Sequence, residues 1–205
     1  MSKNTFIKTI LILSVLASAS FAYAQNSKKT GDDNITVLML LGEWFGDTYF
    51  TLNDRLEELD VKVVKTGVDN TFKGCYVKDR DDELTNDILI PDIKDLSEYD
   101  CLLIPSGPQF RKFRGNKVVM QFIRDAYEAG LVIASLCTGN FIVNESGIID
   151  LEDPRDIEQG KIIEVKERVL LGSRGGGPPP GNGFEGAPVN ELCDAILAKI
   201  RNKQK

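Results

Sequence analysis

Short runs rich in apolar residues alternate along the chain with segments in which apolar and polar positions repeat at helical spacing. The apolar runs lie at 35–41, 61–66, 99–105 and 131–136. Their length is typical of strands that are buried on both faces of a parallel sheet. Segments 47–59 and 116–127 instead carry apolar residues three and four apart, which is typical of helices with one buried face. The alternation predicts an α/β fold with a doubly wound, mostly parallel sheet and helices on both faces.

The rest of the chain adds smaller elements to this sheet. Residues 72–90 mix β-prone residues with acids, which predicts a small excursion from the main sheet. Two short apolar segments, 161–165 and 169–171, precede a loop rich in Gly and Pro at 175–183, and an amphipathic helix over 188–202 closes the chain. The loop is too irregular for a phosphate-binding motif. At 205 residues the chain has room for one well-filled domain, which we expect over 35–205.

The N-terminus has the pattern of an export signal. Lys3 and Lys8 precede an apolar centre, and Ala22-Tyr23-Ala24 forms an A-x-A cleavage site before Gln25. We therefore predict a signal peptide over 1–24, a polar, disordered tether over 25–34, and a mature protein in the periplasm or outside the cell. The apolar centre is too short for a membrane span, so no membrane contact is expected after cleavage.

Composition limits the chemistry. The sequence has no histidine, which excludes a Ser-His-Asp triad, a Cys-His dyad and any histidine metal site. Cleavage of the signal peptide lowers the count of Lys and Arg from 25 to 23 against 31 Asp and Glu, a net charge near −8. This charge argues against nucleic acid as a partner. We expect no metal and no cofactor, and a small molecule as ligand or substrate.

The four cysteines show no C-x-x-C pair, which makes a zinc site improbable. Cys101 falls in an apolar strand and Cys193 on the apolar face of the last helix, so we expect both in the core. Export would permit disulfides, and Cys75 is then the best candidate partner, but spacing does not fix the pairing among Cys75, Cys101 and Cys193.

The segment from Gly130 to Asp150 places a strand, a cysteine and a helix start in direct succession. The strand pattern ends at Leu136 and the helical pattern starts at Thr138. Cys137 would stand on a tight turn that faces backbone N–H groups and the positive end of a helix dipole, which favours a thiolate. Free cysteines also serve often as small buried hydrophobic residues, so spacing alone leaves both roles of Cys137 open.

Three segments resemble motifs of one known family. The segments are Tyr99 to Gly107, similar to Y-D-x-L-x-I-P-G-G; the elbow from Ala134 to Gly139; and Ser173-Arg174-Gly175, similar to a late S-R-G. On these motifs, and over about 35–200, the chain resembles the ThiJ/PfpI family, also called the DJ-one superfamily. The resemblance implies a flavodoxin-like, class I glutamine-amidotransferase-like fold, and a homodimer, since relatives are commonly dimers.

The resemblance also implies roles for individual residues. Cys137 would be the nucleophile, and the backbone of Gly107 and Thr138 would donate hydrogen bonds to an oxyanion. Loop 42–48 resembles the loop that carries the acidic partner of the cysteine. The longer form of that loop places Asp47 at the acid, whereas the shorter form places Gly46 there. Glu43 is an additional candidate acid.

Two departures from the family pattern weaken the expected activity. The usual A-x-C-H-G reads Ser135-Leu136-Cys137-Thr138-Gly139 here, so threonine replaces the histidine that follows the nucleophile. The usual glutamate is at best Asp47, whose carboxylate sits about 1.5 Å short, the length of one C–C bond. Misplacements of that order can cost about a hundredfold in rate.

Three functional classes follow from the sequence. In the first, Cys137 attacks a small carbonyl or acyl group, as in glyoxalase-, deglycase- or amidase-type relatives, and Asp47 moves protons. In the second, Cys137 is oxidised to a sulfinic acid in a redox-responsive protein. In the third, the fold is a non-catalytic binding module. The sequence favours the first slightly, because the cysteine and one candidate acid are both present.

Overall fold

The computed structural model describes residues 35–75, 77, 80–175 and 186–203. These residues belong to one compact unit. The predicted signal peptide and tether lie outside the described residues, and so does most of the loop at 175–183.

Strands in the described part of the chain form two sheets. The strands are β1 (Thr36–Leu40), β2 (Lys62–Gly67), β3 (Thr71–Lys73), β4 (Glu83–Thr85), β5 (Ile88–Leu89), β6 (Cys101–Ile104), β7 (Val132–Leu136), β8 (Ile162–Lys166) and β9 (Val169–Gly172). The main sheet has the order β5-β2-β1-β6-β7-β9-β8, and its neighbouring strands are parallel except β8 and β9, which pair antiparallel. This arrangement confirms the predicted flavodoxin-like, mostly parallel sheet.

Helices cover both faces of the sheet. They are α1 (Thr48–Glu58), α2 (Phe110–Phe113), α3 (Lys117–Glu128), α4 (Gly139–Glu145) and α5 (Val189–Lys203). Helix α3 begins where the sequence predicts, because the Asn116 side-chain oxygen accepts the N–H groups of Val118 and Val119 at 3.0 and 3.3 Å. No helix in the described residues combines the length and apolar character needed to cross a bilayer.

Each face of the sheet has its own core. Along β1, Val37 and Met39 pack on the face covered by α1 and α5, whereas Leu38 and Leu40 pack on the face covered by α3 and α4. All four side chains are fully buried. A strand buried on both faces must be apolar at every position, which explains the uninterrupted runs in the sequence.

Most of the predicted excursion is a small hairpin, whereas β5, at the end of the predicted range, joins the main sheet. β3 and β4 pair antiparallel, with Phe72 opposite Leu84. Phe72 is buried and packs edge to face on Phe45, with ring centroids 5.6 Å apart. The hairpin thereby anchors the loop that follows β1.

Parallel strands direct their carboxyl ends to one edge of the sheet. The loop after β1, the turn after β6 and the turn after β7 therefore meet at that edge, as expected for an open α/β sheet. Cys137 lies there.

Candidate active site

Cys137 occupies the turn between β7 and α4 in a left-handed backbone conformation, with φ of 53°. This conformation costs a residue other than glycine on the order of 1–3 kcal/mol. The turn is held by two backbone bonds: Cys137 N–H donates to Gly172 O at 3.0 Å, and Cys137 O accepts from Asn140 N–H at 3.1 Å. The side chain is half-buried, in contrast to the fully buried Cys101 and Cys193. A strained, partly accessible cysteine is a feature of functional sites rather than of cores.

Gly139 allows this turn to pack directly on β6. A Cβ atom at Gly139 would lie 2.5 Å from the backbone oxygen of Ile104, closer than real contacts permit. The glycine two residues after Cys137 is therefore required by the approach of two backbones.

The Thr138 side chain bridges the Cys137 turn and the turn after β6. Its Oγ1 accepts the N–H of Gly107 at 2.9 Å and donates to the carbonyl oxygen of Gly107 at 3.0 Å. The Ser106 hydroxyl lies 3.1 Å from the same oxygen. The Gly107 N–H, expected to donate to an oxyanion, is thus engaged by Thr138. It becomes free for a substrate only when the Thr138 side chain rotates away.

The backbone N–H of Thr138, the second expected oxyanion donor, is not engaged in the way that the Gly107 N–H is. Among the described residues, its N–H group has no hydrogen-bond acceptor. This N–H directly follows Cys137, and of the two expected oxyanion donors it is the one without an acceptor in the described part of the chain.

The two candidate acids do not contact the cysteine. Asp47 is the N-cap residue of α1, half-buried, and its carboxylate does not bond the helix N-terminus. The Glu43 carboxylate accepts the N–H of Lys73 on β3 at 3.0 Å. In the described part of the chain, neither carboxylate hydrogen-bonds the Cys137 sulfur, and neither lines the cavity beside it. The expected pairing of Asp47 or Glu43 with Cys137 is therefore absent from this geometry.

The loop that carries these acids does reach the site through its backbone. A Cβ atom at Gly46 would lie 3.0 Å from the Cα of Gly107, and Thr48 Oγ1 donates to Ser106 O at 2.8 Å. The loop, Gly107 and the Cys137 turn therefore lie together in the structure, whereas neither acidic side chain hydrogen-bonds the cysteine sulfur in the described residues.

A cavity of about 160 Å³ opens beside Cys137. Its walls are formed by Cys137, Thr138, Asn140, Phe141, Arg155, Ser173 and Arg174. The sequence gives no role to Arg155, Phe141 or Asn140, and Arg174 enters only as part of the S-R-G motif. Among the described residues, no group of three or more Cys, Asp or Glu side chains is placed to hold a metal ion.

The buried Asn140 side chain hydrogen-bonds three segments around this cavity. It accepts from the Ser135 hydroxyl at 2.7 Å, and donates to the backbone oxygens of Pro154 and Gly172 at 3.2 and 3.1 Å. One amide thereby ties α4 to β7, β9 and the segment that carries Arg155.

Arg155 is held in place by Asp153. Its Nε and Nη2 atoms donate to the two carboxylate oxygens at 3.0 and 2.7 Å. These hydrogen bonds lower the pKa of Asp153 to about 2, so the carboxylate stays charged, and the pair stays formed, well below neutral pH.

The sequence model of the DJ-1/PfpI family matches residues 35–153, which is more than half of the chain. The chain belongs to the DJ-1/PfpI family. Among curated proteins, none matches the sequence significantly.

Solved structures of DJ-1/PfpI proteins share the fold at low sequence identity. Schizosaccharomyces pombe DJ-1 is 14% identical, with a TM-score of 0.59 over 82% of this chain and 96% of that chain. A ThiJ/PfpI domain protein from Brachyspira murdochii is 12% identical, with a TM-score of 0.58 over 82% and 96%. A two-domain protein from Anabaena variabilis, with DJ-1/ThiJ/PfpI-like and ferritin-like domains, is 20% identical, with a TM-score of 0.64 over 82% of this chain and 48% of that one. The chain thus spans about half of the Anabaena protein.

In this DJ-1/PfpI protein, Cys137 stands on the turn between β7 and α4. The hydroxyl group of the next residue, Thr138, binds the Gly107 backbone. Among the described residues, the side chains that line the cavity with Cys137 are two arginines, an amide, a phenyl ring and two hydroxyl groups.

Proposed function

We propose that this DJ-1/PfpI protein uses Cys137 as a nucleophile toward small carbonyl or acyl compounds, with slow turnover. The observation that carries the proposal is the left-handed backbone of Cys137 on a turn that opens into a cavity of about 160 Å³. A residue with a Cβ atom adopts that backbone at a cost, and such strain concentrates at functional sites.

In the proposed reaction, the sulfur of Cys137 adds to the carbonyl carbon of the substrate. A C–S bond forms, the π electron pair of the carbonyl group moves onto its oxygen, and the thiol proton passes to water. The free N–H of Thr138 supplies one hydrogen bond to the oxygen. Gly107 supplies a second only after the Thr138 side chain turns away.

Slow turnover follows from the surroundings of the sulfur. General acid–base help from a positioned side chain is typically worth about 10² to 10⁴ in rate. The sequence holds no histidine, and no carboxylate in the described residues contacts Cys137. Water must therefore carry the proton.

A non-catalytic binding module is the second candidate function. The observation in its favour is the bond between Thr138 Oγ1 and the Gly107 N–H, which occupies one of the two expected oxyanion donors. The redox alternative receives less support, because a sulfinic acid at Cys137 would have no protonated carboxyl group beside it in the described residues.

Turnover assays on variants test the proposal. We expect weak activity of the wild type on methylglyoxal or on small amides and esters, loss of that activity in Cys137→Ser, and a higher rate in Thr138→His. Cys75→Ser is the matched control, because Cys75 is also half-buried but lies outside the cavity, and it should retain wild-type activity.

Two results would contradict the proposal. Turnover that survives in Cys137→Ser would show that another group performs the chemistry. Complete inactivity of the wild type and of Thr138→His would favour the binding module.

We also propose that the protein is exported and acts in the periplasm or outside the cell. The support is the N-terminal pattern alone: two lysines, an apolar centre and Ala22-Tyr23-Ala24.

A further inference from the structure

The charged side chains on the wall of the Cys137 cavity all have one sign. Arg155 and Arg174 contribute two guanidinium groups, and no carboxylate among the described residues lines the cavity. This local charge opposes that of the whole chain, in which 31 acidic residues outnumber 25 basic ones. A cavity that collects cations in an acidic protein is suited to an anionic ligand.

The two arginines differ in whether a neighbouring group balances their charge. Arg155 forms a two-point ion pair with Asp153 and lies over the ring of Phe141, 5.7 Å from its centroid. The charge of Arg155 is therefore balanced by a neighbouring carboxylate, in an ion pair that lies at the surface and does not depend on a ligand.

Arg174 has no such partner among the residues that the structure describes. In the described part of the chain, its guanidinium group forms no hydrogen bond and no ion pair, although it borders the same cavity as the Cys137 thiol. Arginine presents a planar fork of donors that matches a carboxylate at two points. Arg174 is solvent-exposed, and its fork of donors borders the cavity that contains the Cys137 thiol, so it is placed to bind an anionic group of a ligand there.

We propose that the Cys137 cavity takes small carbonyl compounds that carry a carboxylate group, that is, short 2-oxo acids, and that Arg174 binds the carboxylate. This assignment rests on the proposed function of Cys137 and narrows its substrate class. The cavity of about 160 Å³ corresponds to the liquid volume of roughly five water molecules. A compound of roughly five to eight non-hydrogen atoms suits that space. The cavity is smaller than the pockets that usually bind drug-sized ligands.

The covalent step is balanced without an added oxidant or reductant. The Cys137 sulfur adds to the ketone or aldehyde carbon of the 2-oxo acid, the carbonyl π pair moves to oxygen, and that oxygen takes a proton from water while the thiol proton is released. The product is a hemithioketal or hemithioacetal whose carboxylate stays paired with Arg174.

Two pairs of matched probes test this assignment on the full-length protein. Iodoacetate and iodoacetamide both alkylate thiols, but only iodoacetate carries a carboxylate. Pyruvate and pyruvamide both present a ketone to the thiol, and only pyruvate carries a carboxylate. Alkylation at Cys137 is followed by peptide mass spectrometry, without and with pyruvate or pyruvamide as protecting agents. Arg174→Gln is compared with Arg201→Gln, which makes the same charge change on the exposed end of α5.

We expect the ratio of iodoacetate to iodoacetamide rates at Cys137 to fall at least about threefold in Arg174→Gln, a size typical of an exposed ion pair. The ratio should stay at the wild-type value in Arg201→Gln. Pyruvate should protect Cys137 at lower concentrations than pyruvamide in the wild type, and this advantage should disappear in Arg174→Gln.

The outcomes separate the two proposals. An unchanged rate ratio in Arg174→Gln, with equal protection by pyruvate and pyruvamide, overturns the carboxylate assignment and leaves the carbonyl chemistry of Cys137 standing. A reduced ratio with no protection by either ketone overturns the carbonyl chemistry, and the 2-oxo acid assignment with it.

Discussion

The Thr138 side chain fills the space between the Cys137 turn and the turn after β6. Its hydroxyl group serves both the N–H and the carbonyl group of Gly107, at 2.9 and 3.0 Å. A backbone unit that is partly removed from water loses free energy when its hydrogen-bond partner is deleted. Thr138 therefore stabilises the turn and, by the same bonds, withholds one N–H from any substrate oxygen.

Removal of this hydroxyl group should destabilise the protein. We expect Thr138→Val, which keeps the shape of the side chain, to lower the free energy of unfolding by about 1–3 kcal/mol. Thr138→Ser keeps the hydroxyl group and should stay close to the wild type. Urea unfolding curves measure both, and equal midpoints for Val and Ser would show that the two bonds contribute little in solution.

At the scale of elements, Asn140 connects the short helix α4 to two strands and to the segment before Arg155. All of its amide contacts are made inside the protein. Deleting the amide leaves the Ser135 hydroxyl and the backbone oxygens of Pro154 and Gly172 without this partner.

Asn140→Leu should therefore lower the free energy of unfolding by much more than the small change in side-chain size would. We expect a loss of about 2–4 kcal/mol, several times the net value of one hydrogen bond. Asn190→Leu makes the same change at an exposed position on α5 and should alter stability by less than about 0.5 kcal/mol. Thermal or urea unfolding of the two variants provides the comparison, and similar losses in both would rule out a special role for the Asn140 amide.

Many of the helices and strands can be predicted from the sequence, because the residues that determine them lie within or next to each element. The apolar runs predict β1, β6 and β7 to within two residues at each end, and Asn116 marks the start of α3 through its own side chain. The antiparallel pairing of β8 with β9 is not predicted, since the direction of a short strand depends on which neighbour it meets.

The site is less predictable because its contacts are distant in sequence. Thr138 and Gly107 are 31 residues apart, and the apolar pattern says nothing about the rotamer that joins them. Arg155 is placed by an ion pair with Asp153 and by the Asn140 bond to Pro154, while Asp47 is the N-cap residue of α1 and does not line the cavity. Residue types in a motif thus predict which backbones meet, but not which side chains point into the space between them.

At the scale of the whole protein, we predict that the N-terminal segment is removed during export. Removal of residues 1–24 should leave a mature protein that begins at Gln25. Ala24→Arg should block cleavage, because the site requires a small residue at that position. Intact mass spectrometry of both proteins from the native host measures this. Recovery of the wild type from the cytosol with Met1 to Ala24 still attached would refute export.

The two outer strands of the main sheet affect how this protein can associate with itself. β5 has only two residues and is followed by Pro91, and β8 is irregular between Glu164 and Lys166, with the Glu164 carboxylate paired to Lys199 at 2.7 Å. Short, proline-flanked or charged edges are poor templates for strand addition. Self-assembly through a continuous intermolecular sheet is therefore disfavoured at both ends, and a homodimer would have to form through helix faces or loops.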